Sequence, residues 1–401
     1  MSTTRRKTLL TVIALATAAC IVCGISDGIK NNYGIMLQAI ISNSGLTYAS
    51  VSLVLAVSQL FYGMIQPFFG VLAERKSNTL TLIIGVGLTL AGLLLMPYCK
   101  STWSLMACLG ILLPAGTGAL SYAILIGSIT PKIPANTVSL VAGFVNASSG
   151  IGNAALSPII QALLARGGIS AAALALAVPT ALLLPLCLYV GKRNVAQVKA
   201  AAHGAGRFSD AFANRDYRLL VLGFFTCGFH MALISNHLPS QITSYGISAQ
   251  TAAWAFSLYG IITMAGSVFS GWMCDRHDMK NVLGTYYGSR MVITLAFLLL
   301  PKVPLTIFIF AAFLGLTGAA TVPPVSCLIN RDFGAGRLAS LYGFAFFVHQ
   351  IGGFFGAWLG GIFFESFGGY VQIWCVDMVF CTIAAAASYA IRPEKTLSAP
   401  A

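Results

Sequence analysis

Charge is what this sequence has least of. Only 8% of its 401 residues are Asp, Glu, Lys or Arg, against about 25% in a soluble globular chain. So few ionisable groups cannot cover the surface of a soluble fold this long, and that class is excluded. Acidic residues are scarcest, ten against 23 Lys and Arg. Hydrophilic stretches are also rare. The one of any length, 192–217, has the composition of a short amphipathic or flexible connector, not of a domain. The ten cysteines lie mostly inside apolar runs, at Cys20, Cys23, Cys108, Cys187, Cys227, Cys375 and Cys381. That scatter is neither a disulfide framework nor a metal site. Cys20 and Cys23 form a C-x-x-C, but inside the first apolar run, where packing is the plainer role. No nucleophile–base pair, phosphate loop or metal spacing stands out, so no enzyme, cofactor or metal is expected.

What the chain has is apolar length. Hydrophobic residues make up 57% of it, and a helical membrane span needs about 20 in a row. Apolar segments run over 8–41, 48–73, 79–97, 103–129, 138–164, 170–191, 218–242, 250–274, 281–300, 304–329, 338–364 and 370–391. The basic N-terminal Arg5, Arg6 and Lys7 before an apolar run suggest a signal peptide, but the run continues past Ala39 without a small-residue cleavage site and a soluble domain. It reads as the first span. The expected fold is therefore all-α, twelve transmembrane helices in two six-helix bundles, 1–191 and 218–401, joined by a cytoplasmic linker over 192–217. With the N-terminus in the cytoplasm, 18 of the 23 basic residues fall on cytoplasmic termini and loops, as the positive-inside rule requires. Lys100, Arg166 and Lys302 lie on the other side; Lys30 and Arg290 lie within spans. Both termini are then cytoplasmic, in a multi-pass protein of an inner or plasma membrane. The net charge of +13 is explained by an anionic inner leaflet, without nucleic acid.

The halves repeat. Gly70-Val-Leu-Ala-Glu74-Arg75 reappears as Gly271-Trp-Met-Cys-Asp275-Arg276, and Ala142-Gly-Phe through Gly152 lines up with Tyr342-Gly-Phe through Gly352. Two similar six-helix halves imply a pseudo-two-fold axis with a site between them near the midplane, the plan of a transporter. Ionisable side chains inside spans cost roughly 2.5–3.5 kcal/mol on insertion scales, so each asks for a partner or a task. Asp27 and Lys30 share a helix face. Lys30 is read as binding an anion, with Asp27 holding its charge or exchanging a proton; a plain intrahelical ion pair is the alternative. Asn31, at an adjacent register, and Tyr33 follow them. Arg290 lies near the depth of the midplane, either as a carboxylate clamp or as a buried cap on neighbouring backbone. His230, His237 and His349 occupy cavity-type helices and titrate in the range needed for proton coupling, although a lone histidine in a bundle is more often a packing residue. His230 and His237, two turns apart, do not have zinc spacing. Asn146 offers a neutral hydrogen bond, and Asp377 is expected to pair locally in a peripheral helix. Pro114, Pro158, Pro239 and Pro323–Pro324 are expected to mark bends.

The G-x-L-A-[DE]-R loop after span two and its copy after span eight resemble the signature loop of the major facilitator superfamily. Within it, the Ala142-Gly143 pair running to Ala147-x-Ser149-Gly150, Gly223 through His230 to His237-Leu-Pro239, and Gly352–Gly361 with Phe367-Gly-Gly-Tyr370 are similar to the monocarboxylate porter and oxalate:formate antiporter branch. The resemblance implies alternating access between two bundles. It implies a gating part for Gly70, Glu74, Arg75, Gly271, Asp275 and Arg276, and a substrate-carboxylate contact at Lys30. The aspartate–arginine pair that animal monocarboxylate porters carry in span eight is absent, since Ile262–Ser267 stands there. The expected function is a secondary transporter of a small organic anion, a monocarboxylate moved with protons, acting as a monomer. Lys30, Asn31, Tyr33, Asn146, His237, Arg290 and His349 are its substrate contacts, and Asp27 and His230 its proton carriers. An anion exchanger, an exporter of amphipathic compounds and a transporter-like receptor are the alternatives.

Overall fold

The computed structural model describes residues 3–134, 137–192 and 208–393. Arg193, Lys199, Arg207 and Lys395, and so most of the expected linker, lie outside them. Among the described residues every regular element is a helix. Lipid dictates this: with no water to satisfy backbone N–H and C=O groups, each crossing segment must bond to itself.

Eleven helices are long and apolar enough to span: Leu9–Asn31, Tyr48–Arg75, Asn78–Tyr98, Thr102–Lys132, Leu140–Gly191, Arg215–Ser244, Ala249–Cys274, Met279–Leu299, Pro304–Phe333, Ser340–Phe367 and Val371–Tyr389. The 52-residue member folds back at Gly167 and Gly168, the latter with φ 62°. Only a residue without Cβ takes that conformation freely. It therefore supplies spans 5 and 6, and the chain crosses twelve times, with both described ends on one face. Repeat-related turns are closed alike: Gly45 and Gly246 take positive φ, and Thr47 and Ser248 accept the backbone N–H of Ser50 and Thr251 as helix caps. On the face opposite the termini, Lys302 donates to the carbonyls of Phe297 (2.7 Å) and Leu300 (2.6 Å) at the end of span 9. Its partial burial lowers its pKa.

Expected and observed bends differ. Pro158 and Pro239 lie inside continuous helices. Span 1 breaks at Asn32, between Thr3–Asn31 and Tyr33–Ser44. Span 4 breaks at Leu120 and Ser121, not at Pro114, and span 10 passes through a tight 3₁₀ turn at Ala319–Thr321. Pro323 and Pro324 follow this turn in the first turn of Val322–Phe333, where a missing N–H costs nothing. The breaks in spans 4 and 10 coincide with the repeated Thr117-Gly118-Ala119 and Thr317-Gly318-Ala319.

Within each six-span set, the tightest helix crossing brings backbone against backbone. A Cβ at Gly152 of span 5 would lie 1.8 Å from the Gly24 carbonyl oxygen of span 1. In the second set a Cβ at Gly228 of span 7 would lie 1.7 Å from the His349 oxygen, and one at Gly352 2.0 Å from that of Phe225. Small residues are what lets helices approach so closely in lipid. Next to the first crossing, Asn32 Nδ2 donates to Asn153 Oδ1 (3.1 Å) and Ser157 Oγ donates to Asn32 Oδ1 (2.7 Å), fixing span 1 on span 5 at its break.

The two sets meet from the face opposite the termini inward to mid-depth. Gly34 packs on the Ser235 carbonyl, Gly361 on Ser52, Gly63 on Gln350 and Gly150 on Gly260. Gln350 Nε2 donates to the Gln59 carbonyl at 3.0 Å. At the outermost level Tyr48 of span 2 docks its hydroxyl between His237 Nδ1 (3.1 Å) and the Tyr370 hydroxyl (2.5 Å). His237 Nε2 lies 2.7 Å from the Ala357 carbonyl, so it carries the proton. Neutral His237 then accepts from Tyr48, and Tyr48 accepts from Tyr370. The Ala49 N–H donates to Glu365 Oε1 at 2.8 Å beside them.

Two outcomes follow from these contacts. Gly152→Val should lower thermal stability in detergent by about 1–3 kcal/mol or more through overpacking, whereas Gly143→Ala, whose new methyl meets nothing within 4 Å, should leave it unchanged. Equal melting temperatures for both variants would contradict the crossing. Tyr48→Phe should loosen the opposite face by about 1 kcal/mol for the lost hydroxyl bonds. The readout is faster modification of Ser240→Cys by a membrane-impermeant thiol reagent; an unchanged rate would count against the latch.

Candidate functional site

Below these contacts, at mid-depth, lies a cavity of about 370 Å³ between the two six-span sets. It extends from Lys30 and Asn153 toward Gly143, Asn146, Ser267, Val268 and Phe346, residues nearer the face that carries the termini. One wall is polar: Lys30 and Asn31 of span 1, Gln59 of span 2, and Asn146, Ser149 and Asn153 of span 5. The facing wall is mixed: Met231, Phe256, Met264, Val268 and Phe346 are apolar, while Ser235, Tyr259, Thr263, Ser267, His349 and Gln350 carry polar groups. Among the described residues of the lining, Lys30 is the one formally charged side chain, and no carboxylate joins it. The cavity is electropositive and suits an anion. A smaller cavity of about 180 Å³ lies nearer the opposite face between spans 1, 5, 7 and 8, and is lined without a charged group.

Lys30 reaches the cavity because span 1 is held at its break. The glycine crossing and the Asn32–Asn153–Ser157 bonds orient the turn that presents it. Its Nζ stands 4.1 Å over the Tyr62 ring, a cation–π contact that holds the ammonium without neutralising it. The Tyr62 hydroxyl in turn donates to Asp27 Oδ1 at 3.5 Å. Asp27 and Lys30 make no direct ion pair within 4 Å among the described residues. The three-residue spacing puts the two on one side of the helix, but Tyr62 enters from span 2 and couples them through its ring and hydroxyl. His349 is held by Gln350 Oε1 (Nδ1 at 3.1 Å) and by the Phe346 ring stacked at 5.5 Å.

The expected contacts thus fall into two groups. Lys30, Asn31, Asn146 and His349 line the cavity together. Tyr33, His237 and Arg290 do not. Tyr33 is buried in the apolar core toward the opposite face, and His237 belongs to the Tyr48 latch. Arg290 is fully buried behind the wall, its Nη2 donating to the carbonyls of Thr317 (2.6 Å) and Gly318 (2.8 Å) at the break in span 10. A cation there stabilises the open end of the first half-helix. Asp27 lies off the cavity against Tyr62 and Cys23. His230 pairs with Asp377, Nδ1 to Oδ2 at 2.7 Å; the partner of Asp377 lies on another span, and both are fully buried. His230, Asp377 and Cys381 bring ligand-type atoms within 4.8 Å of one another. The direct hydrogen bond and the nearby Arg290 favour a proton between them over a shared metal cation.

Near the termini, Glu74, Arg75, Asp275 and Arg276 are exposed and Gly70 and Gly271 have open space around them. The next helices are capped by Ser77, accepting from Leu80 N, and by Asp278, accepting from Lys280 N. Arg276 lies 4.2 Å over the Trp272 ring. Missed from the sequence were Gln59, Asn153, Tyr62, Gln350 and the Tyr48–Tyr370 pair. Glutamine and asparagine inside an apolar run were the available signal for three of them; a tyrosine gives none.

Relatives agree with this arrangement. The chain is 26% identical over 349 residues to the uncharacterized MFS-type transporter YcxA of Bacillus subtilis, covering 84% of each. It is 22% identical over 378 residues to monocarboxylate transporter 12 of Homo sapiens (84% of this chain, 72% of that one). It is 24% identical over 368 residues to monocarboxylate transporter 13 of Rattus norvegicus (88% and 82%). Among solved structures, a D-xylose–proton symporter superposes with a TM-score of 0.75 at 13% identity, over 96% of this chain and 98% of that one. A nucleoside transporter superposes with 0.77 at 14%, over 94% and 99%. A bacterial homologue of the human lysosomal transporter Spinster, in an inward-facing and unoccupied conformation, gives 0.72 at 16%, over 97% of each. The Major Facilitator Superfamily profile matches residues 17–248 and 220–401. Twelve crossings in two related sets, a mid-depth cavity between them and this match agree: the chain is a multi-pass membrane transporter that belongs to the Major Facilitator Superfamily.

Proposed function

We propose that the protein carries a small monocarboxylate across an inner or plasma membrane together with protons, by alternating access. The observation that carries this reading is Lys30, a lone ammonium on a cavity wall with no carboxylate beside it. Its acid, Asp27, reaches it only through the ring and hydroxyl of Tyr62, so the ammonium donors stay open to a charge-assisted bond with a substrate carboxylate. Asn31, Asn146 and His349 complete the polar contacts, and the apolar side chains of the facing wall take the carbon body. The relatives named monocarboxylate transporters support the substrate class. The spread of Lys and Arg supports a cytoplasmic position for both ends. The halves 1–191 and 218–401 would rock as units about the glycine crossings, with the Tyr48 latch closing the outer side. The Glu74–Arg75 and Asp275–Arg276 loops would engage when the inner side closes. The monomer contains a complete cavity, and no second copy is invoked.

Proteoliposomes test this. Labelled short monocarboxylates should accumulate when an inward proton gradient is imposed. Lys30→Ala should cut uptake about 10–100-fold, the range expected for losing a charge-assisted hydrogen bond of about 1.5–3 kcal/mol, and Lys30→Arg should restore part of it. Uptake that depends on internal anion but not on the gradient would show exchange instead. No uptake by folded protein would overturn the monocarboxylate reading and leave an exporter of amphipathic compounds, for which the Met231, Met264 and Phe256 wall is suited.

A further inference from the structure

The second half holds a buried polar cluster that the anion cavity does not use. It joins His230 of span 7, Arg290 of span 9, and Asp377 and Cys381 of span 12, all without solvent exposure. His230 Nδ1 lies 2.7 Å from Asp377 Oδ2, and the Cys381 thiol 3.9 Å from the same oxygen. Arg290 lies beside Cys227 and Cys381. Four atoms of the cluster have no hydrogen-bond partner: His230 Nε2, Asp377 Oδ1, and Arg290 Nε and Nη1. Buried polar groups kept only for packing are normally closed on one another, and an ion pair with packing as its sole purpose is no more stable than apolar side chains of the same size. The open positions on both the carboxylate and the imidazole leave room for a further proton, which a cluster closed on itself would not have.

Charge counting leads to the same place. Arg290 keeps its charge under all conditions, and Asp377 is the acid of the same cluster, the two sharing Cys381 as a neighbour. One proton added at the open Nε2 turns His230 into an imidazolium that still donates through Nδ1 to Asp377. The proton comes from a hydronium ion of the cavity water, which becomes water, and no other bond is broken. In the first half Asp27 and Lys30 already balance, so a bound carboxylate there adds one negative charge. Anion in one half and proton in the other return the loaded carrier to neutrality, which a low-dielectric membrane interior favours. A polar seam leads from the cavity to the cluster: His349 on the wall lies beside Cys227, whose sulfur is 3.1 Å from Thr321 Oγ1 in the broken stretch of span 10, and Cys227 lies beside Arg290. The titratable neighbours of the cluster are Cys227 from span 7, Tyr287 from span 9 and Cys381 from span 12, and its charged neighbour is Arg290. The Trp374 ring meets His230 edge-on at 6.1 Å.

We propose that the His230–Asp377 pair, with Arg290 as its fixed counter-charge, is the proton-binding site of the transport cycle, in the half opposite the one that binds the anion. It rests on the proton-coupled reading above. Two measurements on the full-length protein in liposomes test it. In the first, wild type should accumulate labelled monocarboxylate by up to about tenfold per pH unit of gradient. Asp377→Asn should lose that accumulation yet keep exchange of labelled for unlabelled anion, and His230→Gln, which leaves Asp377 to balance Arg290, should behave alike. Gradient-driven accumulation retained in both variants overturns the proposal, and its loss in Asp27→Asn alone would move the proton site to the first half. Failure of wild type itself to respond to the gradient overturns the symport reading, and this proposal with it. The second measurement needs no transport. With Trp374 as the only tryptophan (W103F, W254F, W272F, W358F), its emission should change on acidification when His230 is present and not in His230→Gln. A flat titration overturns the proposal, whatever the transport result.

Discussion

The structure depends on two backbone-to-backbone crossings, span 1 on span 5 and span 7 on span 11, that only glycine permits. At each, a single Cβ would fall within 2 Å of a carbonyl oxygen on the partner helix. In water, apolar burial could hold two such helices together with larger side chains between them. In lipid that drive is missing, and close packing of small residues replaces it. The crossings also locate the chemistry. Gly28 comes two residues before Lys30, and His349, three before Gly352, gives its own carbonyl to the contact with Gly228. The residues that reach the cavity are therefore mounted on the stiffest part of each half.

The interface between halves is less tight, although an added Cβ at Gly34 would still lie 2.3 Å from the Ser235 carbonyl oxygen. It is made of small side chains, amide-to-carbonyl bonds and hydroxyl bonds, as at Gly150–Gly260, Gln350–Gln59 and Tyr48–His237–Tyr370. No ion pair bridges the halves among the described residues. Such contacts are worth about 1 kcal/mol each, so they can break and re-form in a cycle while the glycine crossings stay intact. Tighter crossings within halves than between them fit the proposed alternating access.

Charge follows the same division. Away from the membrane faces, each half holds one acid and one base: Asp27 and Lys30 in the first, Asp377 and Arg290 in the second. In the first the base faces the cavity with a tyrosine ring between it and its acid. In the second the base is turned away and spent on the broken backbone of span 10. Repeat-related frames thus carry unlike chemistry. The Thr117 carbonyl, the repeat partner of that of Thr317, receives no cation but the Leu120 N–H at 3.2 Å and a distant Ser26 hydroxyl at 3.4 Å.

Composition and pattern determined the twelve crossings, the two halves and the family, because lipid allows one solution for apolar runs of this length and because the Gly70–Arg75 and Gly271–Arg276 repeats are local strings. They also determined that Lys30 merits attention, since a lysine inside a span is legible one residue at a time. Tertiary structure alone decided which polar residues meet. Arg290 has the depth of a substrate contact in the sequence, yet its helix turns it to the Thr317 and Gly318 carbonyls. His237 has the type of a proton carrier, yet it closes a latch with Tyr48, 189 residues away. Asp377 looks peripheral and finds His230 across 147 residues. Sequence gives each residue's depth along its own helix; its azimuth, and therefore its partner, is fixed only when glycine crossings and helix breaks set how the helices rotate against one another.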